Sequence, residues 1–270
     1  MRTRRIRIAV LGAVFALAIA GCGGSDEPCV AEPGGAPGSV DAPANCAVSS
    51  VIAIDATGAL QDRALARDVS SAAMRAAEHT ITAGGHLRMV IFGGDANAVE
   101  VVYDDDVPTL EEQDETRRGP VEQSLRTALG TTLDNALGIE RADRALTTRV
   151  RELSGGGMSD IARAVRNALR VLSSRGGVKA MALVSDGAQA SDQLMLARRI
   201  AAGDSAASLA DQLAELLGRA NGVDVVQVAG LGRLPGRVNQ SASRTDELVE
   251  IWMTACEQSG AKRCATTTEL

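Results

Sequence analysis

The apolar residues of this chain follow two spacings, which alternate from one segment to the next. Short runs rich in Val, Ile, Leu and Ala are typical of strands buried inside a sheet. They lie at residues 50–55, 87–92, 98–103, 178–185 and 223–229, and a closing strand is predicted at 262–266. Apolar residues that recur every three or four positions predict helices with one buried face. These helices lie at residues 61–83, 160–173, 208–220 and 245–258.

The order of these elements is typical of one class of fold. Strands that alternate with helices predict an α/β fold with a doubly wound, mainly parallel sheet and helices on both faces. A Gly-Gly-Asp turn between the strands at 87–92 and 98–103 predicts an antiparallel hairpin. Residues 104–154 are polar with helical spacing and predict a helical insertion. Its acidic run lacks the spaced loop of a dedicated calcium site, so we interpret it as solvated surface.

The amino-terminal residues predict export. Residues 1–7 carry four arginines, and the apolar run at 8–20 is too short to span a bilayer as a helix. The small-residue segment Ile19-Ala20-Gly21-Cys22 resembles the lipobox of bacterial lipoprotein precursors. This resemblance implies a signal peptide at 1–21, a lipid on Cys22 and anchoring to the cell membrane on its extracytoplasmic side. The alternative is an ordinary signal peptide followed by an incidental cysteine.

Composition limits the partners of the exported part. Residues 22–48 are rich in Gly, Pro, Ala and Ser, which predicts a flexible tether, and residues 49–270 are long enough for one domain with a substantial core. Aromatic residues make up only 1% of the chain, and the formal net charge is −6. Both features disfavour nucleic acid as a partner, because its recognition relies on aromatic stacking and positive charge.

Cysteines are the next candidates for chemistry. With Cys22 assigned to lipid, four cysteines are left, and an even number in an exported chain predicts disulfides. We favour the pairs Cys29–Cys46 and Cys256–Cys264 because both close short loops. Zinc binding is the alternative, but the sequence has no CxxC pair and its two histidines lie far from these cysteines.

Polar residues stand at or next to the carboxyl ends of predicted strands. Asp55 and Thr57 follow the first strand, Ser159 lies just before a helix, and Ser185 and Asp186 follow the strand that begins at Val178. Ligands of open α/β sheets bind beyond the carboxyl ends of the strands. The carboxylates of Asp55 and Asp186 and the hydroxyls of Thr57 and Ser159 would form an all-oxygen set, which suits a hard cation such as Mg²⁺.

These segments and their order resemble the von Willebrand factor type A domain. The resemblance spans roughly residues 49–270 around the insertion, and is carried by the segments IAID, GGMSDIARAV, ALVSDG and VDVVQVAGLG. It implies a metal-ion-dependent adhesion site with a D-x-S-x-S loop, a threonine and an aspartate. Asp55, Thr57, Ser159 and Asp186 match or replace those ligands. Ala59 stands where the loop has its last serine, so one hydroxyl ligand is lost.

The resemblance implies a membrane-anchored binding or adhesion protein, dependent on Mg²⁺ or another divalent cation, with a protein or cell-envelope ligand. The first alternative is an extracytoplasmic enzyme. We predict no enzymatic activity because the sequence has no GxSxG elbow and neither histidine follows a strand. The second alternative is a solute-binding lipoprotein, which normally needs two similar lobes rather than a single sheet.

Overall fold

A computed structural model of the chain describes residues 29–36, 39–94, 99–109, 115–139, 144–153, 159–233 and 241–270. The strands are β1 (Glu32–Pro33), β2 (Val40–Asp41), β3 (Val48–Asp55), β4 (Gly85–Phe92), β5 (Val99–Val107), β6 (Val178–Val184), β7 (Val225–Ala229) and β8 (Arg263–Thr267). The helices are α1 (Arg63–Ala83), α2 (Glu115–Ala136), α3 (Arg144–Leu153), α4 (Ile161–Ser173), α5 (Leu196–Ala201), α6 (Ala206–Leu217) and α7 (Ala242–Ser259). Cys22 and the predicted signal peptide at residues 1–21 lie outside the described residues.

Six strands form one sheet in the order β5-β4-β3-β6-β7-β8. Neighbouring strands run parallel except β4 and β5, which form the predicted antiparallel pair. The predicted α/β class, with a doubly wound and mainly parallel sheet, is confirmed. The chain adds strands first on one side of β3 and then on the other, so its winding direction reverses between β3 and β6.

Alternate side chains of β3 enter two cores, one on each face of the sheet. Val51 and Ala53 pack with α4, α6 and α7, whereas Ile52 and Ile54 pack with α1, α2 and α3. All four side chains are at most 1% exposed. A strand buried on both faces needs apolar residues at every position, which explains the unbroken apolar run in the sequence.

Helix α1 begins where the sequence offers a side-chain cap. The Asp62 carboxylate accepts hydrogen bonds from the backbone N–H groups of Ala64 at 2.8 Å and Leu65 at 3.3 Å. These bonds satisfy amide groups that the first turn of a helix leaves unpaired. Among the described helices, none is both long and apolar enough to cross a membrane.

The helical insertion begins later than the sequence predicted. β5 continues to Val107, so residues 104–107 belong to the edge strand and not to the insertion. Aspartate is a poor strand former, but here the neighbouring strand compensates its charge. Arg88 on β4 pairs with Asp104 at 2.5 Å, and His86 contacts Asp106 at 2.8 Å.

Both predicted cysteine pairs lie at disulfide distance. The Cα atoms of Cys29 and Cys46 are 5.6 Å apart, and those of Cys256 and Cys264 are 6.0 Å apart. The second bridge joins α7 to β8. It therefore fixes the edge strand of the sheet to the helix that covers it.

The segment predicted as a tether differs from the structure from residue 29 onward. β1 and β2 pair antiparallel, and Ala31 and Val40 are buried against Val178 at the amino-terminal end of β6. The Cys29–Cys46 bridge closes this segment into a loop, which lowers the entropy lost when it packs. A few buried apolar side chains are then enough to keep this segment packed on the sheet. So few apolar positions do not produce a recognisable periodic pattern in the sequence. Residues 22–28 lie outside the described residues.

Replacing Cys256 and Cys264 together with alanine is expected to lower the free energy of unfolding by about 2–3 kcal/mol. The physical reason is that the bridge closes a loop across a sequence separation of 8 and so restricts the unfolded chain. Urea unfolding followed by circular dichroism measures the difference from the wild type. Peptide mapping without reductant should recover both cysteines in one cross-linked fragment, and free thiols at both positions would contradict the bridge.

Candidate metal centre

The carboxyl ends of β3 and β6 lie side by side where the winding direction reverses. Ligands of doubly wound sheets bind in the crevice at this point. Asp55 is the last residue of β3, and Asp186 follows the end of β6 by two residues. The structure therefore brings the two predicted carboxylates to the edges of one crevice.

The Asp55 carboxylate accepts hydrogen bonds from three segments of the chain. Its Oδ1 accepts a hydrogen bond from the Thr57 backbone N–H at 2.9 Å. Its Oδ2 accepts from the hydroxyls of Ser159 at 2.9 Å and Ser185 at 3.0 Å. Asp55 is only 7% exposed, so these bonds replace the water that its carboxylate loses on burial. We call Asp55, Thr57, Ser159, Ser185 and Asp186 the rim.

Asp186 is the rim residue whose negative charge is unfavourable. Burial, and then the negative charge of Asp55, raise the pKa of Asp186 from 3.8 to about 7. A backbone hydrogen bond from Ala188 N–H to Asp186 Oδ1, at 2.8 Å, acts in the opposite direction. Two buried carboxylates that repel each other favour either the protonation of one of them or the binding of a positive ion.

Thr57 leaves one rim oxygen without a partner. Its hydroxyl oxygen is buried and has no hydrogen-bond partner among the described residues. A buried hydroxyl without a partner costs about 1–3 kcal/mol. Natural structures usually satisfy such groups, and a bound ion or water is a common partner where no protein group serves.

Ala59 has no side-chain oxygen to add to the rim. It begins the short 3-10 turn Ala59–Gln61, is 2% exposed, and packs in the core on the α1 side of the sheet. Its methyl group contributes apolar burial where the resembling family has a serine. The rim consequently has two carboxylates and three hydroxyls, with no oxygen from position 59.

Gln189 locks the loop before α4 to the loop after β6. Its side-chain oxygen accepts from the Ala162 backbone N–H at 2.7 Å, and its amide nitrogen donates to Asp160 Oδ1 at 3.1 Å. The backbone N–H of Ala190 also donates to the Ser159 carbonyl at 2.8 Å. These bonds fix Ser159 relative to Asp186. The sequence analysis missed Gln189 because a single glutamine in a loop carries no periodic signal.

The donor set of the rim fits a hard divalent cation. Carboxylate and hydroxyl oxygens are the ligands that Mg²⁺ and Ca²⁺ prefer. Within the described part of the chain, no group of three or more His, Cys, Asp or Glu side chains could hold a metal ion. A cation at the rim would therefore depend on the hydroxyls as well as on Asp55 and Asp186.

A small crevice of about 20 Å³, enough for about one water molecule, opens beside these oxygens. Asp55, Ser185 and Asp186 form its polar side. Leu65, Val69 and Leu270 form its apolar side. Three rim residues, Asp55, Ser185 and Asp186, thus line a crevice in which one wall is charged and the other is aliphatic.

Neither histidine lies at the rim. His79 Nε2 is 2.8 Å from the Cys46 carbonyl oxygen. His86 lies between Asp104 and Asp106, at the end of the sheet where β4 begins. The hydroxyls of Ser159 and Ser185 contact the Asp55 carboxylate instead of a histidine.

Comparison with known proteins gives structural similarities only. No protein-family model matches the sequence, and no curated protein matches it significantly. The pilus adhesin SpaC from Lactobacillus rhamnosus GG aligns in an open conformation at 11% identity and TM-score 0.33, over 89% of this chain and 31% of that one. A second form of SpaC aligns at 10% identity and TM-score 0.35, over 90% of this chain and 32% of that one.

The human COPII-coat protein Sec24c aligns at 11% identity and TM-score 0.37, over 83% of this chain and 29% of that one. The present chain therefore spans about a third of the length of each of these structures. All three TM-scores are below 0.5. The case for the function of this chain consequently rests on its own residues.

Proposed function

We propose that this chain is an extracytoplasmic binding lipoprotein whose rim holds Mg²⁺ or another divalent cation. Through that cation, it binds a carboxylate of a protein or cell-envelope partner. One observation carries the proposal: the buried Thr57 hydroxyl has no hydrogen-bond partner among the described residues, and the backbone N–H of the same residue donates to Asp55, in a site where two carboxylates repel. A bound cation would satisfy the hydroxyl and offset the repulsion together.

Four side chains would hold the cation: Asp55, Thr57, Ser159 and Asp186. When bound, the cation supplies a positive centre that attracts an anionic group of a partner. Since Ala59 supplies no oxygen, fewer protein ligands are available than in the resembling site. We therefore expect weak binding of the cation alone and tighter binding when a partner's carboxylate contributes.

Binding is proposed in preference to catalysis because the rim has no activated nucleophile. Ser159 and Ser185 both donate their hydroxyl protons to Asp55 Oδ2, which leaves their oxygens without a base poised to take a second proton. A serine nucleophile normally needs a histidine or an equivalent base within hydrogen-bond reach. His79 and His86 are both engaged elsewhere in the domain.

Calorimetric titration with Mg²⁺ tests the cation site. We expect the wild type to bind with a dissociation constant on the order of 10⁻⁴–10⁻³ M, typical of weak extracellular sites. Thr57→Val should weaken binding about tenfold, because it removes one ligand and keeps the shape of the side chain. Thr82→Val is the matched control, since the Thr82 hydroxyl donates to backbone carbonyls within α1. Equal binding by all three proteins would show that the Thr57 hydroxyl is not a ligand.

The anchor is proposed from the lipobox-like segment that ends at Cys22. The structure adds a geometric argument. The bridged segment that begins at Cys29 packs at the amino-terminal end of β6, whereas the rim lies at the carboxyl end of the same strand. An anchor shortly before Cys29 would therefore leave the rim facing away from the membrane, toward a partner.

Growth with labelled palmitate tests the anchor. The wild type should carry the label and fractionate with membranes, and Cys22→Ala should abolish the label. Cys29→Ala is the control, because it also removes a nearby cysteine but one that is bridged to Cys46. Label that persists in Cys22→Ala, or that disappears in Cys29→Ala, would refute lipidation of Cys22.

A further inference from the structure

A group of basic residues lies at the amino-terminal end of the sheet, opposite the rim. We call these residues the basic patch: Arg166 and Arg170 of α4, Lys179 of β6, and Arg219 in the loop 218–224 between α6 and β7. Within the described part of the chain, none of the four side chains forms an ion pair. Their positive charges are therefore available to a partner.

Three of these side chains lie around the loop between α6 and β7. A Cβ atom built on Gly218 would lie 3.5 Å from Arg166 Cδ. A Cβ atom built on Gly222 would lie 4.0 Å from Lys179 Nζ. Arg219 lies in the loop itself, between these two glycines. A helix, a strand and a loop thus bring their positive charges to one place.

Arg166 has a polar atom that lacks a partner. Its Nε is buried and forms no hydrogen bond to the described residues. Buried donors are usually paired in natural structures, and a bound anion is one group that can supply the missing acceptor. Arg170 follows Arg166 by four residues, so it lies on the same face of α4, and it is exposed. An anion at Arg166 would therefore also be within the field of Arg170.

Helix ends account for only part of the basic patch. Arg170 lies in the last turn of α4, and Arg219 follows the end of α6. Positive charge is favourable at both places because of the helix dipole. Arg166 is in the middle of α4 and Lys179 is on a strand, where the dipole offers no such gain. Placing them beside the other two costs repulsion, which an array of negative groups would offset.

Acidic residues at the strand ends here do not cancel the basic patch. The Asp224 carboxylate already binds Lys262 Nζ at 2.6 Å and the Lys179 backbone N–H at 2.8 Å. The aspartates at 104–106 are on β5, which is three strand spacings, or roughly 14 Å, from β6. Charges more than about 8 Å apart are largely screened at physiological ionic strength. The basic patch is therefore locally positive, although the formal net charge of the chain is −6.

The proposed anchor brings this end of the sheet to a membrane. The seven residues from Cys22 to the residue before Cys29 span at most about 25 Å when fully extended. Cys29 is bridged to Cys46, which packs in one apolar cluster with Val178. Val178 directly precedes Lys179 in β6. The lipid on Cys22 would therefore keep the basic patch close to the lipid headgroups.

We infer that the basic patch binds the phosphate groups of anionic lipids and docks the amino-terminal end of the sheet on the membrane. The inference rests on the proposed function, because the lipid on Cys22 keeps the patch near the bilayer. The chain as a whole is acidic, so its other faces are repelled by an anionic surface. Docking therefore fixes the orientation of the domain and turns the rim outward.

Hydrogen exchange of the full-length protein, purified from membranes and reconstituted in vesicles, tests the docking. Vesicles of phosphatidylcholine are compared with vesicles that also contain phosphatidylglycerol, which is anionic. We expect the amides of residues 218–224 to exchange about tenfold more slowly in the anionic vesicles, and the amides of residues 186–190 at the rim to be unaffected. High salt should abolish the difference, because it screens the charges.

Arg170→Gln combined with Arg219→Gln should abolish the slower exchange. Both side chains are exposed, so the double variant leaves the core intact. Each basic residue near an anionic surface favours docking about fivefold, so docking should fall by about 25-fold. Arg198→Gln combined with Arg244→Gln is the matched control. It removes the same charge from exposed residues of α5 and α7, which both begin at the rim side of the sheet.

Three outcomes would overturn the inference, each for a different reason. Equal exchange in both kinds of vesicle, for protein that floats with them in a density gradient, refutes docking and leaves the anchor standing. If inorganic phosphate slows the exchange in phosphatidylcholine vesicles, the basic patch binds free anions and not lipid. Protein that does not float with phosphatidylcholine vesicles lacks the anchor, so the proposed anchoring fails and the docking fails with it.

Discussion

Asp186→Asn is expected to stabilise the metal-free protein by about 2–4 kcal/mol at pH 8 and to remove its binding of Mg²⁺. Burial and the charge of Asp55 raise the pKa of Asp186 to about 7 in the folded protein, above its ordinary value of 3.8. Asparagine keeps an oxygen that can accept from the Ala188 N–H but carries no charge. The substitution therefore removes the repulsion and the negative charge of the ligand together, and a neutral amide oxygen is a much weaker ligand for Mg²⁺.

The pH dependence follows from the direction of this shift. Because the folded-state pKa is the higher one, the folded protein binds more protons than the unfolded chain between about pH 4 and pH 7. The stability of the metal-free wild type should therefore fall as the pH rises through this window. The advantage of Asp186→Asn should shrink correspondingly from pH 8 toward pH 4.

Urea unfolding in EDTA at several pH values measures this difference. Asp192→Asn is the control, because Asp192 is exposed and lies in the same loop. Its effect should stay within about 0.5 kcal/mol, as is usual for surface substitutions. If Asp186→Asn behaves like Asp192→Asn at pH 8, the two carboxylates of the rim do not repel as the structure indicates. Added Mg²⁺ should stabilise the wild type and leave Asp186→Asn unchanged.

Hydrophobic spacing was sufficient to predict the sheet and the helices that cover it. β3 and β6 are buried on both faces, so their sequences are continuously apolar and easy to recognise. α5 was missed because six residues are too few for a helical repeat to show. The packing of residues 29–48 was also missed. The Cys29–Cys46 bridge was predicted, but the contacts of this segment with β6 are not encoded in local sequence.

The rim was predictable in part, because strand ends are predictable. Asp55 and Asp186 follow from the rule that ligands bind at the carboxyl ends of strands. Ser185 was recognised beside Asp186 but not assigned a role, and it donates to Asp55. The apolar side of the crevice could not be predicted, because Leu270 reaches it only after β8 has been placed at the edge of the sheet.

Trp252→Ala is expected to lower the free energy of unfolding by about 3–5 kcal/mol, the usual cost of truncating a buried aromatic side chain. Trp252 is 1% exposed and lies in the core on the α7 side of the sheet. Its indole Nε1 also donates to the Gly187 carbonyl at 2.9 Å. That carbonyl belongs to the loop that carries Asp186. Trp252 therefore fills the core and also holds the loop of a rim residue.

Trp252→Phe separates the two roles. Phenylalanine keeps most of the apolar volume but cannot donate a hydrogen bond to the Gly187 carbonyl. The loop after β6 should therefore open more often, by more than the decrease in global stability alone would cause. Hydrogen exchange measures this at the Ala188 amide, which donates to Asp186 Oδ1. Its exchange should rise about tenfold relative to the amides of β6, equivalent to about 1.4 kcal/mol of local opening.

Phe92→Leu is the matched control for that experiment. Phe92 lies in the same core as Trp252, is equally buried and has no polar atom in its side chain. It should lower global stability without raising exchange at Ala188 beyond the exchange of β6. Equal exchange at Ala188 in Trp252→Phe and Phe92→Leu would show that the indole hydrogen bond does not position the loop. A selective increase in Trp252→Phe, together with weaker Mg²⁺ binding, would show that α7 holds Asp186 in place from across the core.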